Sequence, residues 1–553
     1  MSKPFFITTA IDYTNGAPHI GHAYEKVLAD VLARYHRLKG DEVFYLTGVD
    51  QHGQKVQQSA EKQGVAPQQF VDELTAKFIA LWAKLDVRYD RWAATTDPLH
   101  KDCVGQILTR LRDEGQLYKA KQGGYYSVRQ EQFLTDKERN AEGEFGPEWG
   151  EVEFREEENY YFKLAQHKDW LLQLIKDRSA AGTPLVLPEF RVAELLNAVE
   201  KLSGDLCVSR PKARLAWGIE FPFDPEFVTY VWFDALVNYI SFAPGFAEYF
   251  TAEAQTRREE EPSANLCTSA PLRFKELWPP LHVIGKDILI PAHGVYWPIM
   301  LKALGFADAD IPTLLVHGWW NIAGAKMSKS LGNIVDPDAL ADKYGPEALR
   351  YYLMSDIATG KDADFDESRL VIRYNSDLAN SLGNLLNRTL SMAAKYRNGR
   401  IALHDDPSLD SWEAVNLKFI RVQSADGFAN YRGYFERSAP DVSLNEAFQR
   451  SRECNTLIEQ AAPWKLAKMP NLERHLDAVL YHLAESLRII SILLSPVLPK
   501  AAQSIFDQLN WKMAEQGQET RFKLDDAKWG GLPDGHVLGQ PTPLFPRIES
   551  STA

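Results

Sequence analysis

Residues 5–48 read FFITTAIDYTNGAPHIGHAYEKVLADVLARYHRLKGDEVFYLTG, and this stretch decides the fold. Phe5–Ala10 is a short apolar run rich in β-forming residues, followed by the turn residues Asn15, Gly16 and Pro18. Residues 21–38 then carry Tyr24, Val27, Leu28, Val31, Leu32 and Tyr35 at helical spacing, closed by Lys39–Gly40. Glu42–Gly48 follows as a second strand. Strands separated by an amphipathic helix predict a parallel, doubly wound sheet of the Rossmann-like α/β class.

The chain around this unit has 553 residues, too many for one hydrophobic core. Hydrophobic residues make up 45% and charged residues 25%, the balance of a globular protein with no membrane span. The first residues show neither a signal-peptide nor a transit-peptide pattern, which predicts a cytoplasmic protein. Cys103, Cys207, Cys267 and Cys454 lie far apart and form no C-x-x-C, so they are expected as free thiols rather than a zinc knuckle. The formal charge of −13 speaks against a wholly basic nucleic-acid binder. Locally, however, residues 371–400 carry Arg373, Arg388, Lys395, Arg397 and Arg400 against Asp377, which by charge alone reads as a solvated helix face.

The pattern divides the chain into a first α/β half at 1–115, an inserted connective subdomain at 116–228, and a second α/β half at 229–310. A further region at 311–367 and an α-helical bundle at 368–553 follow. In the insertion, residues 137–159 are crowded with Glu and Gly, and Gly124–Val128 and Tyr160–Leu164 read as strand pieces. Strands resume at Phe227–Phe233, Leu281–Gly285 and Pro312–Gly318, with a polar loop at 254–266. Amphipathic stretches at 368–396, 412–434, 442–462 and 472–495 predict the bundle.

Two segments carry chemistry. His19-Ile20-Gly21-His22 lies between the first strand and the first helix, where a doubly wound fold binds nucleotides. The helix start offers N–H groups and a positive dipole end to phosphate, Gly21 leaves room, and His19 and His22 share one face. H-x-G-H on its own is common to many nucleotidyltransferases. Lys326-Met327-Ser328-Lys329-Ser330 follows a strand and a Gly-containing loop. Its two lysines could close on a triphosphate as pyrophosphate leaves.

Together these segments resemble the HIGH and KMSKS signatures of class I aminoacyl-tRNA synthetases. The resemblance covers nearly the whole chain, and within the class it points to the methionyl-tRNA synthetase family. The carrying stretches are AIDYTNGAPHIGHAYEK, VDQHG at 49–53, VWFDALVNYI at 231–240 and IGKDI at 284–288. HGWWNIAGAKMSKSLGN, YGPEALRYYLM, NSDLANSLGNLLNRT and AAPWKLAK complete them.

The resemblance implies an enzyme that joins methionine to ATP and passes it to tRNA(Met), initiator tRNA included, with ATP and Mg²⁺ as cofactors. Its methionine pocket maps onto Ile11, Tyr13, Asp50, Trp232, Ala235, Leu236, Tyr239, His293 and Trp297, with Asp50 toward the ammonium. An apolar, aromatic site suits a thioether. Its ATP site maps onto His19, Gly21, His22, Glu25, Gly285, Asp287, His317, Gly318, Lys326 and Lys329. His19, His22, Lys326 and Lys329 carry the catalytic role. Anticodon contact maps onto Asn384, Arg388 and Trp464, which turns the basic stretch around Arg388 into an expected RNA surface.

The sequence also departs from the family. Residues 116–206 hold no cysteine, so zinc is not expected in the insertion. One extra residue separates G-K-D from His293, and Leu236 stands where some relatives have proline. No second C-terminal domain is evident, which favours a monomer.

Overall fold

A computed structural model describes residues 3–127, 132–134, 138–140, 142–250, 269–322, 324–327, 334–404, 428–511 and 522–549. The central sheet has seven strands: β1 (Pro4–Thr9), β2 (Asp12–Tyr13), β3 (Glu42–Asp50), β4 (Arg91–Ala94), β5 (Val186–Leu187), β6 (Leu281–Gly285) and β7 (Thr313–His317). Their order is β2–β3–β1–β6–β7–β5, with β4 also on β3, and every pair is parallel. The sheet and its helices bear out the doubly wound reading. β1 has β3 on one side and β6, far later in sequence, on the other. That reversal leaves a crevice at the carboxyl edge of the strands.

Helix α1 (Ile20–Lys39) fills one face of the sheet and ends at Gly40 in the left-handed conformation (φ 95). The sequence predicts a helix with one apolar face, but every residue from Ala23 to Ala33 is buried. The difference arises because the sheet covers one side and the helical domain the other: Tyr35 stacks on Phe435 with centroids 4.1 Å apart. A helix buried all round must satisfy its charges internally. Lys26 meets Asp12 at 2.6 Å and Glu25 at 2.8 Å, and Asp30 meets Arg34 and Arg350, both at 2.7 Å.

The insertion is built on Leu117–Ser127 paired antiparallel with Val152–Phe162 in unbroken register. The strand pieces expected at Gly124 and Tyr160 are ends of these two longer strands, whose remaining parts are disguised by solvent-facing Glu and by Gly123. Arg155 and Arg214 pack on the Tyr126 ring at 4.6 and 4.7 Å. Val186–Leu187 falls inside 116–228 yet pairs with β7, so this stretch returns to the central sheet before leaving it again. The strand expected at Phe227–Phe233 is in fact the end of Asp224–Thr229 followed by helix α2 (Val231–Ser241). The apolar run continues across the boundary, so hydrophobicity alone hides the turn at Tyr230. The predicted loop at 254–266 lies outside the described residues.

Beyond the sheet, α3 (Pro346–Ser355), α4 (Asn384–Arg397), α5 (Pro440–Ala461) and α6 (Glu473–Leu494) form the helical part. Residues 428–436 are also helical, while the rest of the predicted 412–434 stretch lies outside the described residues. Arg350 of α3 joins the two halves. It is fully buried, pairs with Asp30 of α1, and donates to the carbonyls of Leu85, Pro496 and Val497 at 2.9–3.0 Å. Burial would raise the Asp30 carboxyl, but Arg34 and Arg350 overcome this and hold it below the usual range. Arg350→Met strips Asp30 of one partner and orphans three carbonyls. Chemical denaturation should show a loss of about 3–5 kcal/mol; a change below about 1 kcal/mol would contradict this role for the junction.

Candidate active site

The first strand–helix connection sets the phosphate end of the site. His19 is the N-cap of α1, with its Nδ1 accepting from the Gly21 N–H at 3.1 Å. The His19 N–H in turn donates to Nδ1 of His22 at 3.1 Å, and the two rings stack at 3.8 Å. With Nδ1 accepting, each neutral imidazole carries its proton on Nε2 and is a donor there. A Cβ on Gly21 would lie 3.0 Å from the His19 ring, so glycine first serves the cap itself.

A cavity of about 380 Å³ opens beside this cap. From the expected methionine set, Ile11, Tyr13, Asp50, Trp232, Ala235, Leu236, Tyr239 and His293 line it. From the nucleotide set, His19, Gly21, His22, Glu25, Gly285, Asp287, His317 and Gly318 line it as well. Two groups expected from separate parts of the sequence thus share one chamber.

Trp297 does not line the cavity. It is fully buried behind Tyr239, with ring centroids 5.7 Å apart, and its Nε1–H donates to Nε2 of His282 at 3.0 Å. His282 in turn meets Thr8 at 2.6 Å. This hydrogen-bonded chain forms a back wall: the indole N–H needs a buried acceptor and finds it away from the cavity.

His293 holds its place despite the extra residue before it. Leu289–Tyr296 forms wide turns broken at Ile290, where the backbone is extended (φ −117, ψ 127), and this kinked segment carries His293 to the cavity. Nδ1 of His293 donates to the Ile288 carbonyl at 2.9 Å, so Nε2 accepts the Tyr239 hydroxyl proton at 2.7 Å. Burial pushes His293 down to about 4, which keeps the ring neutral.

Sequence reasoning missed Asp12, which lines the cavity, and Lys26, which is buried behind it. Lys26 also donates to the Ala10 carbonyl at 2.9 Å, and Glu25 reaches from Lys26 to Nε2 of His317 at 3.1 Å. Burial raises Asp12 to about 7 even though Lys26 pulls it down. The available signal was a charged residue in the apolar AIDY run and another inside the helix. A second buried network joins Asp234 to His52 at 2.6 Å and His100 at 2.7 Å, clamping α2 to the loop after β3. Burial would raise Asp234, but these two rings hold it at about 2.

Ala325–Lys326 pairs antiparallel with Asn321–Ile322, and Met327 lines the cavity. Lys326 is therefore placed next to it by its backbone, while Lys329 lies outside the described residues. In the helical part, Asn384 is exposed, Arg388 pairs with Glu459 at 2.7 Å, and Trp464 is 38% exposed. The surrounding basic stretch is less open than its sequence implies. Arg373 pairs with Asp356, Arg397 with Asp477, and Arg400 donates to the Gly535 carbonyl. Carboxylates distant in sequence neutralise two of these cations, which no local charge count reveals.

A family model described as tRNA synthetases class I (M) matches residues 5–144 and 149–390. The methionine–tRNA ligase of Lactococcus lactis is 37% identical over 558 residues, covering 99% of this chain and 78% of that protein. That of Thermosynechococcus vestitus is 37% identical over 554 residues, covering 99% and 98%. Mycobacterium tuberculosis methionyl-tRNA synthetase in complex with methionyl-adenylate is similar in structure with a TM-score of 0.85 and 33% identity, covering 99% of this chain and 100% of that one.

The neutral His293 has a measurable consequence. An unfolded histidine takes up a proton near 6.5, whereas the folded chain resists until about 4. Unfolding therefore binds a proton in that window, and stability falls as pH drops through it. The slope is up to about 1.4 kcal/mol per pH unit for this site. His293→Gln should unfold with a shallower pH dependence between pH 6.5 and 5 than the parent. Parallel slopes in urea titrations would rule out a buried neutral His293.

Proposed function

The chain belongs to the class I tRNA synthetases, among the methionine–tRNA ligases, and activates methionine with ATP before transferring it to tRNA; from that premise we propose that the cavity at the sheet's carboxyl edge performs the activation. One observation carries this reading: the His19–His22 cap and the Tyr239–His293 pair line the same cavity. One end is built for phosphate, the other for an apolar side chain with few polar contacts.

Methionine's side chain lies among Ile11, Tyr13, Trp232, Ala235, Leu236 and Tyr239, whose surfaces are apolar and polarizable. Asp50 pairs with its ammonium, and the Tyr239–His293 pair orients the thioether. Asp287 takes the ATP ribose at Gly285, and the backbone at His317–Gly318 meets the adenine. Glu25, held by Lys26 and His317, faces the nucleotide from the same end of the cavity. The methionine carboxylate, ionised at neutral pH, attacks the α-phosphorus and expels pyrophosphate, so no general base is needed. His19 and His22 donate Nε2–H toward the reacting phosphate, and Lys326 and Lys329 neutralise the β- and γ-phosphates of MgATP. Mg²⁺ arrives on the substrate's phosphates, as is usual for this ion. A ribose hydroxyl at the tRNA's end then attacks the adenylate carbonyl and AMP leaves.

The same reading assigns Asn384, Arg388 and Trp464 to the anticodon, extends to initiator tRNA, and places a monomer in the cytoplasm. No helix among the described residues is long and apolar enough to cross a membrane. The domain division keeps its boundaries except that β5 is assigned to the catalytic sheet.

Methionine-dependent ATP–pyrophosphate exchange tests the activation step. Methionine should exceed leucine by at least about tenfold, the scale on which apolar pockets separate near-isosteres. Lys329→Ala should lower kcat about a hundredfold with little change in the methionine KM. Equal exchange with leucine, or an unchanged kcat, would sink the corresponding assignment.

Trp464→Ala tests the other end. It should lower kcat/KM for tRNA by roughly 5- to 150-fold, one lost stacking contact, while exchange stays within about twofold. A stable variant that charges tRNA normally would remove the anticodon role.

A further inference from the structure

Beyond the end of β5, Pro188–Arg191 turns across the rim of the sheet and leaves the Phe190 ring 53% exposed. Two cations attend this ring: Nζ of Lys361 at 4.3 Å and the Arg191 guanidinium at 5.3 Å from its centroid. Arg191 is nearly buried and committed, pairing with Glu194 and donating to the Gly360 carbonyl, both at 3.1 Å. Lys361 is exposed, and among the described residues it makes no ion pair.

The platform is fixed to the active-site rim by two close backbone approaches. Gly360 has φ +89, and a Cβ there would lie 2.3 Å from the Pro188 ring. Gly318, which lines the cavity, would place a Cβ 2.0 Å from the Lys361 carbonyl oxygen. Further inward, Asp362 holds Lys286 at 2.6 Å, and that ammonium lies 3.8 Å over Trp319, another cavity residue. Two ring–cation pairs thus follow one another, Phe190 with Lys361 and Lys286 with Trp319. Exposed rings with adjacent cations are what an unpaired nucleic-acid strand uses: bases stack and phosphates pair.

We propose that Phe190 and Lys361 receive the unpaired acceptor end of tRNA, the ring stacking a base and the ammonium meeting a phosphate as the strand passes toward Trp319. The proposal rests on the reading that the adenylate forms in this cavity. A strand whose terminal ribose must reach that adenylate has to cross the cavity's rim, and this platform abuts the rim at Gly318.

The test uses the full chain with Phe190→Leu and Phe190→Trp, measuring tRNA charging, methionine-dependent exchange and melting temperature. Phe190→Leu should lower kcat/KM for tRNA about tenfold. Phe190→Trp, which keeps a stacking face, should stay within about twofold of the parent. Exchange should be unchanged in both. Lys361→Gln should weaken binding of intact tRNA and flatten its salt dependence. Binding of a tRNA trimmed of its unpaired 3′ nucleotides should not distinguish Phe190→Leu from the parent. Normal charging by Phe190→Leu overturns the proposal, as does an equal loss on trimmed tRNA. Loss of exchange together with charging would make the ring a support of the cavity and also overturn it. A parent chain without methionine exchange would instead defeat the functional reading.

Discussion

Helix α1 has almost no solvent face and still carries Glu25, Lys26 and Asp30 in its buried stretch. Removing such charges from water costs several kcal/mol each unless partners replace the lost hydration. Those partners come from elsewhere in the chain, and this requirement organises the molecule. Lys26 draws in Asp12 and the Ala10 carbonyl, fixing the break between β1 and β2. Glu25 reaches His317 at the end of β7. Asp30 takes Arg350, and with it the first contact of the helical domain. Three walls of the molecule are thus registered against one helix, whose first turn bears the His19–His22 cap.

The cavity then divides its polar groups by environment. His293 and His282 lie where burial keeps imidazole uncharged, and each is fixed in one tautomer by its neighbours. Asp234 is equally buried but meets two histidines, and it stays ionised. A neutral polar pair beside an apolar pocket can orient a thioether without attracting charged side chains. The ionised network stands behind the wall, where its field steadies α2 and leaves the pocket itself apolar.

Much of this was legible in residues 5–48: the spacing of Tyr24 through Tyr35 gave helix and register, and H-x-G-H lay at the crevice such a fold requires. Local patterns could not reveal that α1 is covered on both sides, because the covering helices lie hundreds of residues later. For the same reason the sequence does not single out Asp12 and Lys26, and Arg373 and Arg397 read as parts of an open basic stretch. Trp297 stands behind Tyr239 rather than on the cavity surface, and an aromatic residue one turn beyond a pocket satisfies the same pattern as one facing it. Phe227–Phe233 failed for a different reason: an apolar run looks alike in a strand and in a buried helix.

The π-type turns at Leu289–Tyr296 separate two matters that usually travel together, how long a segment is and where its last side chain points. A regular helix rotates the following residues by about 100° for each added position, so one insertion would swing His293 off its target. Here the widened, kinked coil sets the imidazole on the Tyr239 hydroxyl. The direction of the imidazole therefore depends on how this coil is wound and not on the number of residues alone. Tightening or relaxing that coil would move the imidazole by fractions of a turn while leaving the rest of the cavity's lining in place.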